Sequence, residues 1–188
     1  MTKLVGVIAE DISDVDVVKV IIKKIAHKKF GIKYFVGHGC GRLRNKSRAW
    51  AQALKERGCQ LLVLIHDLDA NRVDQLLSAI RQALDPSPIE EHVIVIPVRE
   101  LEAWLLADHK AIEKTFKFKK TLKKIANPEA IQHPKEYLRD LISQRSERRI
   151  IYVNTAHNEK IAENCAISSL ERCASFKPLE DFIVRTLR

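Results

Sequence analysis

Four short apolar segments alternate with amphipathic segments in the first half of the chain. The apolar segments cover residues 3–10, 32–37, 59–67 and 92–98. Their lengths and branched side chains predict buried β-strands. The amphipathic segments carry apolar side chains at helical spacing and cover residues 11–30, 47–57 and 71–84. This alternation predicts an α/β fold in which helices flank a mainly parallel sheet, with ligands bound at the carboxyl ends of the strands.

The pattern is helical in the rest of the chain, over residues 100–109, 110–126, 134–145 and from His157 onward. The 188 residues suffice for one domain with a full core. We therefore expect residues 1–108 to form the α/β core and residues 109–188 to form a helical C-terminal extension packed on it.

Acidic residues follow three of the four predicted strands. Glu10 ends the first strand, Asp67 and Asp69 end the third, and Glu100 and Glu102 follow the fourth. Residues two apart in an extended segment point the same way, so Asp67 and Asp69 are expected to converge. Oxygen ligands at one edge of a sheet suit Mg²⁺ or Mn²⁺. The alternatives are structural, since a single Glu after a strand often caps a helix and Asp favours turns.

The charge balance favours a polyanionic partner. The chain has 33 Lys and Arg against 24 Asp and Glu, a net charge of +9, which is typical of proteins that bind DNA or RNA. Two basic clusters are candidate phosphate contacts. They are Arg42, Arg44 and Lys46 after the second strand, and Lys117, Lys119 and Lys120 in the predicted helix 110–126. The alternative for both is solubilising surface charge.

Three histidines lie near these candidates. His38 and His157 stand in polar surroundings from which they could reach a phosphate. His66 directly precedes Asp67, so we expect its imidazole to face away from the acids and to be partly buried.

Two of the acidic segments resemble the motifs of Toprim domains, the catalytic modules of topoisomerases, primases and OLD-type nucleases. The segments are EDISD at 10–14 and DLD at 67–69. The resemblance implies a Rossmann-like sheet, Glu10 as a general acid/base or ligand, Asp67 and Asp69 as magnesium ligands, and Asp14 as an orienting residue. Asp11 stands where the family has Gly, and it could add a ligand or solvate a helix start.

The second half of the chain is similar to a narrower group of small bacterial Toprim-like proteins often linked to anti-phage defence. The similar segments are ELEAWLLAD at 100–108, HPKEYL and CASFKPLEDF. This resemblance makes Glu102 a further candidate ligand, and Glu100 could supply that additional ligand instead. A partner protein encoded in the same operon is a further candidate partner.

These patterns together predict a magnesium-dependent hydrolase of nucleic-acid phosphodiesters. Hydrolysis is favoured over strand passage because no tyrosine has the context of a topoisomerase nucleophile. One alternative is a non-catalytic subunit of a defence complex that binds metal and nucleic acid. Another is a receiver-like phosphoacceptor domain, which would need a lysine after a fifth strand.

The sequence also predicts a cytoplasmic protein that does not enter a membrane. No apolar run approaches the roughly 20 residues that span a bilayer, and the first residues do not form a signal peptide. The four cysteines are scattered without a C-x-x-C pair, so we expect reduced thiols that pack in the core.

Overall fold

A four-stranded parallel sheet forms the centre of the protein. The computed structural model describes residues 2–37 and 40–188, apart from the side chains of Cys40 and Arg42. The strands are β1 (Lys3–Ala9), β2 (Phe30–Val36), β3 (Leu61–Ile65) and β4 (Glu91–Val95). Their spatial order is β2-β1-β3-β4, and every neighbouring pair is parallel. The predicted α/β class with a parallel, Rossmann-like sheet is therefore confirmed.

Helices cover both faces of this sheet. They are α1 (Ile12–Ile25), α2 (Cys40–Glu56), α3 (Val73–Leu84), α4 (Glu102–Leu106), α5 (His109–Phe116), α6 (Pro134–Arg145), α7 (Asn154–Asn164), α8 (Ile167–Leu170) and α9 (Lys177–Leu187). Short 3₁₀ turns occur at Pro128–Ala130 and Ala174–Phe176. In the part of the chain that the structure describes, no helix has the length and apolar content needed to cross a membrane.

The two faces of the central strands belong to two core clusters because alternate side chains of a strand point in opposite directions. Val63 and Ile65 pack with α1 and the helices after β4 in the larger cluster. Leu62 and Leu64 pack with α2 and α3 in the smaller one. Residues beyond 109 thus share the larger core with the sheet.

Three predicted helix boundaries are wrong by five residues or more. Helix α1 ends at Ile25 and not at residue 30, since Phe30 already begins β2. Helix α2 begins at Cys40 and not near Ser47, because the fully buried side chain of Leu43 offsets the helical cost of Gly41. Helix α5 ends at Phe116 and not at residue 126, since Lys117 adopts a left-handed conformation with φ 54°. The expected end of α2 is confirmed, as Gly58 follows it with φ 87°.

Candidate functional site

A pocket of about 230 Å³ opens at the carboxyl ends of the strands and is lined mainly by acids. The lining residues are Glu10, Asp11, Asp14, Asp67, Glu100, Glu102, Lys135 and Asn154. We call this the acidic pocket. Elements far apart in the sequence bring these side chains together, because the ends of β1, β3 and β4 meet at one edge of the parallel sheet.

Glu10 connects the ends of the two central strands. Its Oε1 accepts a hydrogen bond from the backbone N–H of Asp67 at 3.1 Å and lies 2.9 Å from Nδ1 of His66. The same Nδ1 lies 2.7 Å from the carbonyl oxygen of Asp67. Since both neighbours are acceptors, Nδ1 carries a proton and donates. His66 is buried as expected, but it contacts the site, so the expectation that it faces away is wrong.

The environment of His66 is electrostatically unusual. Burial lowers the pKa of the imidazole, but the hydrogen bond and the negative charge of Glu10 outweigh burial and raise the pKa above its ordinary value. The other ring nitrogen, Nε2, is buried and has no hydrogen-bond partner among the described residues. His66 therefore serves as a donor that holds Glu10 in place.

Asp67 lies inside the acidic pocket among other carboxylates. One of its oxygens, Oδ1, accepts a hydrogen bond from the backbone N–H of Leu101 at 3.0 Å, which ties β3 to the segment after β4. Burial raises the pKa of Asp67 well above its ordinary value, and the charges of Asp14, Glu102 and Glu10 raise it further. The pocket thus disfavours the ionised form of Asp67, which takes up a proton more readily than an exposed carboxyl does.

Asp11 and Asp14 form a capping box at the start of α1. The side chain of Asp11 accepts from the N–H of Ser13 at 2.9 Å, and Oδ2 of Asp14 accepts from the N–H of Asp11 at 3.0 Å. Asp11 therefore caps a helix, while it also lines the pocket. Burial first, then the charge of Glu102, raises the pKa of Asp14 to about 7.

Glu102 is supported by residues that sequence reasoning missed. Its side chain is buried, and Oε1 accepts from Nδ2 of Asn158 at 3.0 Å and from the hydroxyl of Tyr152 at 3.3 Å. Burial raises the pKa of Glu102, although the Asn158 hydrogen bond opposes that shift. Both partners come from the C-terminal half, where no local motif marks them.

Glu100 and Lys135 meet at the start of α6. Oε2 of Glu100 accepts from the backbone N–H of Lys135 at 2.8 Å, and the exposed Lys135 side chain lines the pocket. Lys135 was missed although it lies in the HPKEYL segment. The signal was Pro134, which begins α6 and places Lys135 in its first turn.

Asp69 is not brought into the acidic pocket. It is exposed and left-handed, with φ 50°, and its backbone N–H donates to the carbonyl of Arg99 at 2.8 Å. Partial burial first, then the charge of Glu10, raises its pKa, so Asp69 lies at the rim beside Glu10. The two aspartates separate because Asp69 itself is left-handed, which breaks the alternation of side chains that the backbone pairing of His66 and Leu68 would otherwise continue.

The remaining candidate residues lie outside the acidic pocket or outside the residues that the structure describes. His38 and the side chain of Arg42 fall outside the described residues. Arg44 is close enough for its charge to lower the pKa of His66, yet neither Arg44 nor Lys46 lines the pocket. The ring of His157 packs against Phe116 at a tilt of 40°, with ring centroids 5.2 Å apart. Lys117, Lys119 and Lys120 line a different cavity.

The donor set of the acidic pocket suits a hard divalent cation. Across residues 2–37 and 40–188, no group of three His, Cys, Asp or Glu side chains is arranged so that all three could hold one metal ion. Magnesium usually takes only one or two carboxylates and keeps several waters, so it does not require such a cage. The convergent, mutually repelling carboxylates fit this mode of binding.

The fold and the pocket define an α/β protein whose parallel sheet carries a buried acidic site at its carboxyl edge. Residues 9–183 match a family described as a domain of unknown function, DUF4276, and the chain belongs to that family. Neither the curated proteins nor the solved structures contain a match to the chain.

Proposed function

We propose that the protein is a Mg²⁺- or Mn²⁺-dependent hydrolase of nucleic-acid phosphodiesters that acts at the acidic pocket. The observation that carries the proposal is the burial of Asp14, Asp67 and Glu102 against one another, which raises the pKa of each. Burial of like charges is unfavourable unless protons or a cation neutralise them, and a divalent cation could do so near neutral pH, where the carboxyls would otherwise have to take up protons. The net charge of +9 and the resemblance of the acidic segments to Toprim motifs support the same chemistry.

One or two of Asp14, Asp67 and Glu102 would hold the ion together with waters, while Glu10 and Glu100 also line the pocket. Asp69 stays at the rim. In phosphodiester hydrolysis such an ion lowers the pKa of water and stabilises charge on the phosphate.

Other residues at the acidic pocket would have the remaining roles in hydrolysis. His66 and the N–H of Asp67 fix one oxygen of Glu10, which leaves the other free to accept a proton from water. Lys135 is the positively charged side chain at the pocket, where it attracts the phosphate. The described cysteines, Cys59, Cys165 and Cys173, are free and buried, which supports a reducing, cytoplasmic setting for the reaction. A role in anti-phage defence, beside an operon partner, belongs to the same proposal.

The decisive experiment is a cleavage assay with labelled DNA and RNA, single-stranded and duplex, in Mg²⁺, Mn²⁺ or EDTA. We expect cleavage that requires the metal, that Asp67→Asn abolishes and that Asp74→Asn retains. Asp74 is a matched control because it is exposed on α3 and pairs with Arg72 away from the pocket. Cleavage by Asp67→Asn at the wild-type rate would overturn the proposal.

A second candidate is a non-catalytic subunit that binds metal and nucleic acid. The open arrangement of the described acids favours it over a fully assembled active site. Binding of nucleic acid without cleavage under every metal condition would support this candidate. The receiver-like alternative has no such support, because the sheet of the described residues ends at four strands.

A further inference from the structure

A second cavity, of about 620 Å³, lies between the turn after α5 and the end of α6. Residues 116–120 form one wall, and residues 144–150 contribute the other. We call it the basic groove. The side chains used in the argument below are Lys117, Lys119, Lys120, Arg145, Arg149 and Phe118.

The positive charge of the basic groove is not accounted for by internal pairing. Lys117, Lys119 and Lys120 are exposed and make no ion pair with any described residue. Arg149 pairs only with the exposed Glu147, at 3.2 Å. Favourable interaction with a helix C-terminus explains a cation such as Arg145 in the last turn of α6, but not the cations that lie beyond the helices.

An aromatic ring forms part of the groove surface. Phe118 is half-buried and stacks on Phe116, with centroids 5.7 Å apart and ring planes 20° apart. Phe116 is buried and also packs against His157, with the two ring planes tilted by 40°. The stack therefore supports Phe118 from beneath, in a position where a further flat ring could lie against it.

The basic groove and the acidic pocket are close neighbours. Ile150 lines the groove and Asn154 lines the pocket. Four residues of fully extended chain span at most about 14 Å, so the Cα atoms of these two residues are no farther apart than that. The length of helix α6 gives a similar distance between pocket and groove, because Lys135 at the pocket and Arg145 at the groove are separated by about 15 Å of helix. One extended strand of a few nucleotides could occupy both.

We propose that the basic groove binds single-stranded nucleic acid and presents the adjoining phosphodiester to the acidic pocket. The lysines and arginines contact phosphates, and Phe118 stacks on a base. Single strands are favoured over duplexes because a supported aromatic ring among cations can stack only on a base whose face is free. The cleavage step of this inference rests on the proposed function, whereas the binding step rests only on the charge and the aromatic ring of the basic groove.

The test is binding of a fluorescent oligothymidylate of about 12 nucleotides, measured by fluorescence anisotropy in EDTA so that metal-dependent cleavage plays no part. We expect Lys120→Gln/Arg145→Gln to bind about tenfold more weakly. The slope of log affinity against log salt should become shallower by about 1.4, or about 0.7 for each lost phosphate contact. The matched control, Lys55→Gln/Arg81→Gln, removes two exposed charges from α2 and α3 on the other face of the sheet and should bind as wild type.

Phe118→Leu separates stacking from charge. We expect it to weaken binding about tenfold without changing the salt slope, and melting temperatures will verify that each variant is folded. The groove proposal is overturned if the groove variants bind like the control. Its single-strand form is overturned if a duplex of the same length binds as tightly and Phe118→Leu has no effect.

Failure of this inference can be told apart from failure of the proposed function. If groove-dependent binding is found but no metal supports cleavage, the hydrolase proposal fails and the groove stands. If the wild type cleaves while the groove variants bind and cleave normally, the proposal for the groove fails and the hydrolase proposal is retained. Asp67→Asn should bind at least as tightly as wild type in EDTA, because it removes a negative charge near the strand.

Discussion

The Nδ1 atom of His66 lies 2.9 Å from Oε1 of Glu10, and the two residues come from the ends of adjacent parallel strands. The pair is almost wholly shielded from water on the histidine side, since His66 is 1% exposed. A donor in this position fixes the carboxylate while leaving its second oxygen toward the pocket. Outer partners of this kind commonly tune a metal ligand as strongly as its direct contacts do.

Removing the imidazole should therefore be costly. We expect His66→Ala to lower the free energy of unfolding by about 2–4 kcal/mol, because it leaves a cavity and removes one of the two donors to Oε1 of Glu10. His66→Asn should cost less, since its amide can still donate. Urea denaturation compares the two, with His92→Ala, an exposed histidine beyond α3, as the control. Equal losses for Ala and Asn would contradict the donor role.

The acidic pocket should make stability depend on pH. The pKa of Asp14 is raised to about 7 in the folded protein. Its protonated form therefore contributes to folding stability fully at a pH below the pKa of Asp14 in the unfolded chain, and this contribution is lost as the pH rises through about 7. The raised pKa of His66 acts in the same direction. We expect the free energy of unfolding in EDTA to fall between pH 5 and pH 8. Asp14→Asn should flatten this decline, and an unchanged decline in that variant would contradict the assignment.

Neutralising Asp67 should stabilise the metal-free protein. Asn keeps the carbonyl oxygen that accepts from Leu101, while it removes one charge from the repelling set. Because burial and the neighbouring carboxylates raise the pKa of Asp67, we expect Asp67→Asn to have a higher free energy of unfolding than wild type at pH 8 in EDTA. Chemical denaturation measures the gain. A loss of stability would show that the pocket is held together without an ion.

Divalent cations should make the wild type more stable than Asp67→Asn. At a Mg²⁺ or Mn²⁺ concentration 100 times the dissociation constant, wild type should gain about 2.7 kcal/mol, while Asp67→Asn should gain far less. The melting temperature at pH 8 reports the gain, with NaCl of equal ionic strength as the control. An equal gain in both proteins would place the cation elsewhere.

Tyr152 allows a test of whether the residues that hydrogen-bond Glu102 affect metal binding in the pocket. Tyr152→Phe removes the hydroxyl that donates to Glu102 and contacts Asn158, so we expect a cost of about 1 kcal/mol and a loss of metal affinity of about tenfold. Isothermal titration with Mn²⁺ measures the affinity. Tyr137→Phe, on the exposed face of α6, is the matched control and should leave it unchanged.

The strands and the acids at their ends could be predicted because each depends on local pattern. Buried parallel strands require continuous apolar runs, and Glu10 and Asp67 directly follow such runs. Asp69 could not be placed, because alternation of side chains holds only while the chain is extended, and the left-handed Asp69 breaks it. His66 was misjudged for a related reason, since its contact with Glu10 depends on how two strand ends are juxtaposed.

The C-terminal half was the least predictable. The lysines after Phe116 continue a helical pattern in the sequence, yet Lys117 ends the helix. Tyr152 and Asn158 support Glu102 from about 50 positions away, a relationship that no local spacing reveals. Tertiary packing decides both outcomes.

The capping box of α1 has a kinetic consequence. The carboxylate of Asp14 accepts from the N–H of Asp11 and also lines the acidic pocket. We therefore expect an occupant that contacts Asp14 to stabilise the first turn of the helix, and opening of that turn to accompany release of the occupant. Amide hydrogens at Asp11 and Ser13 should then exchange with solvent more slowly when the cavity is filled, and their exchange would report residence time there.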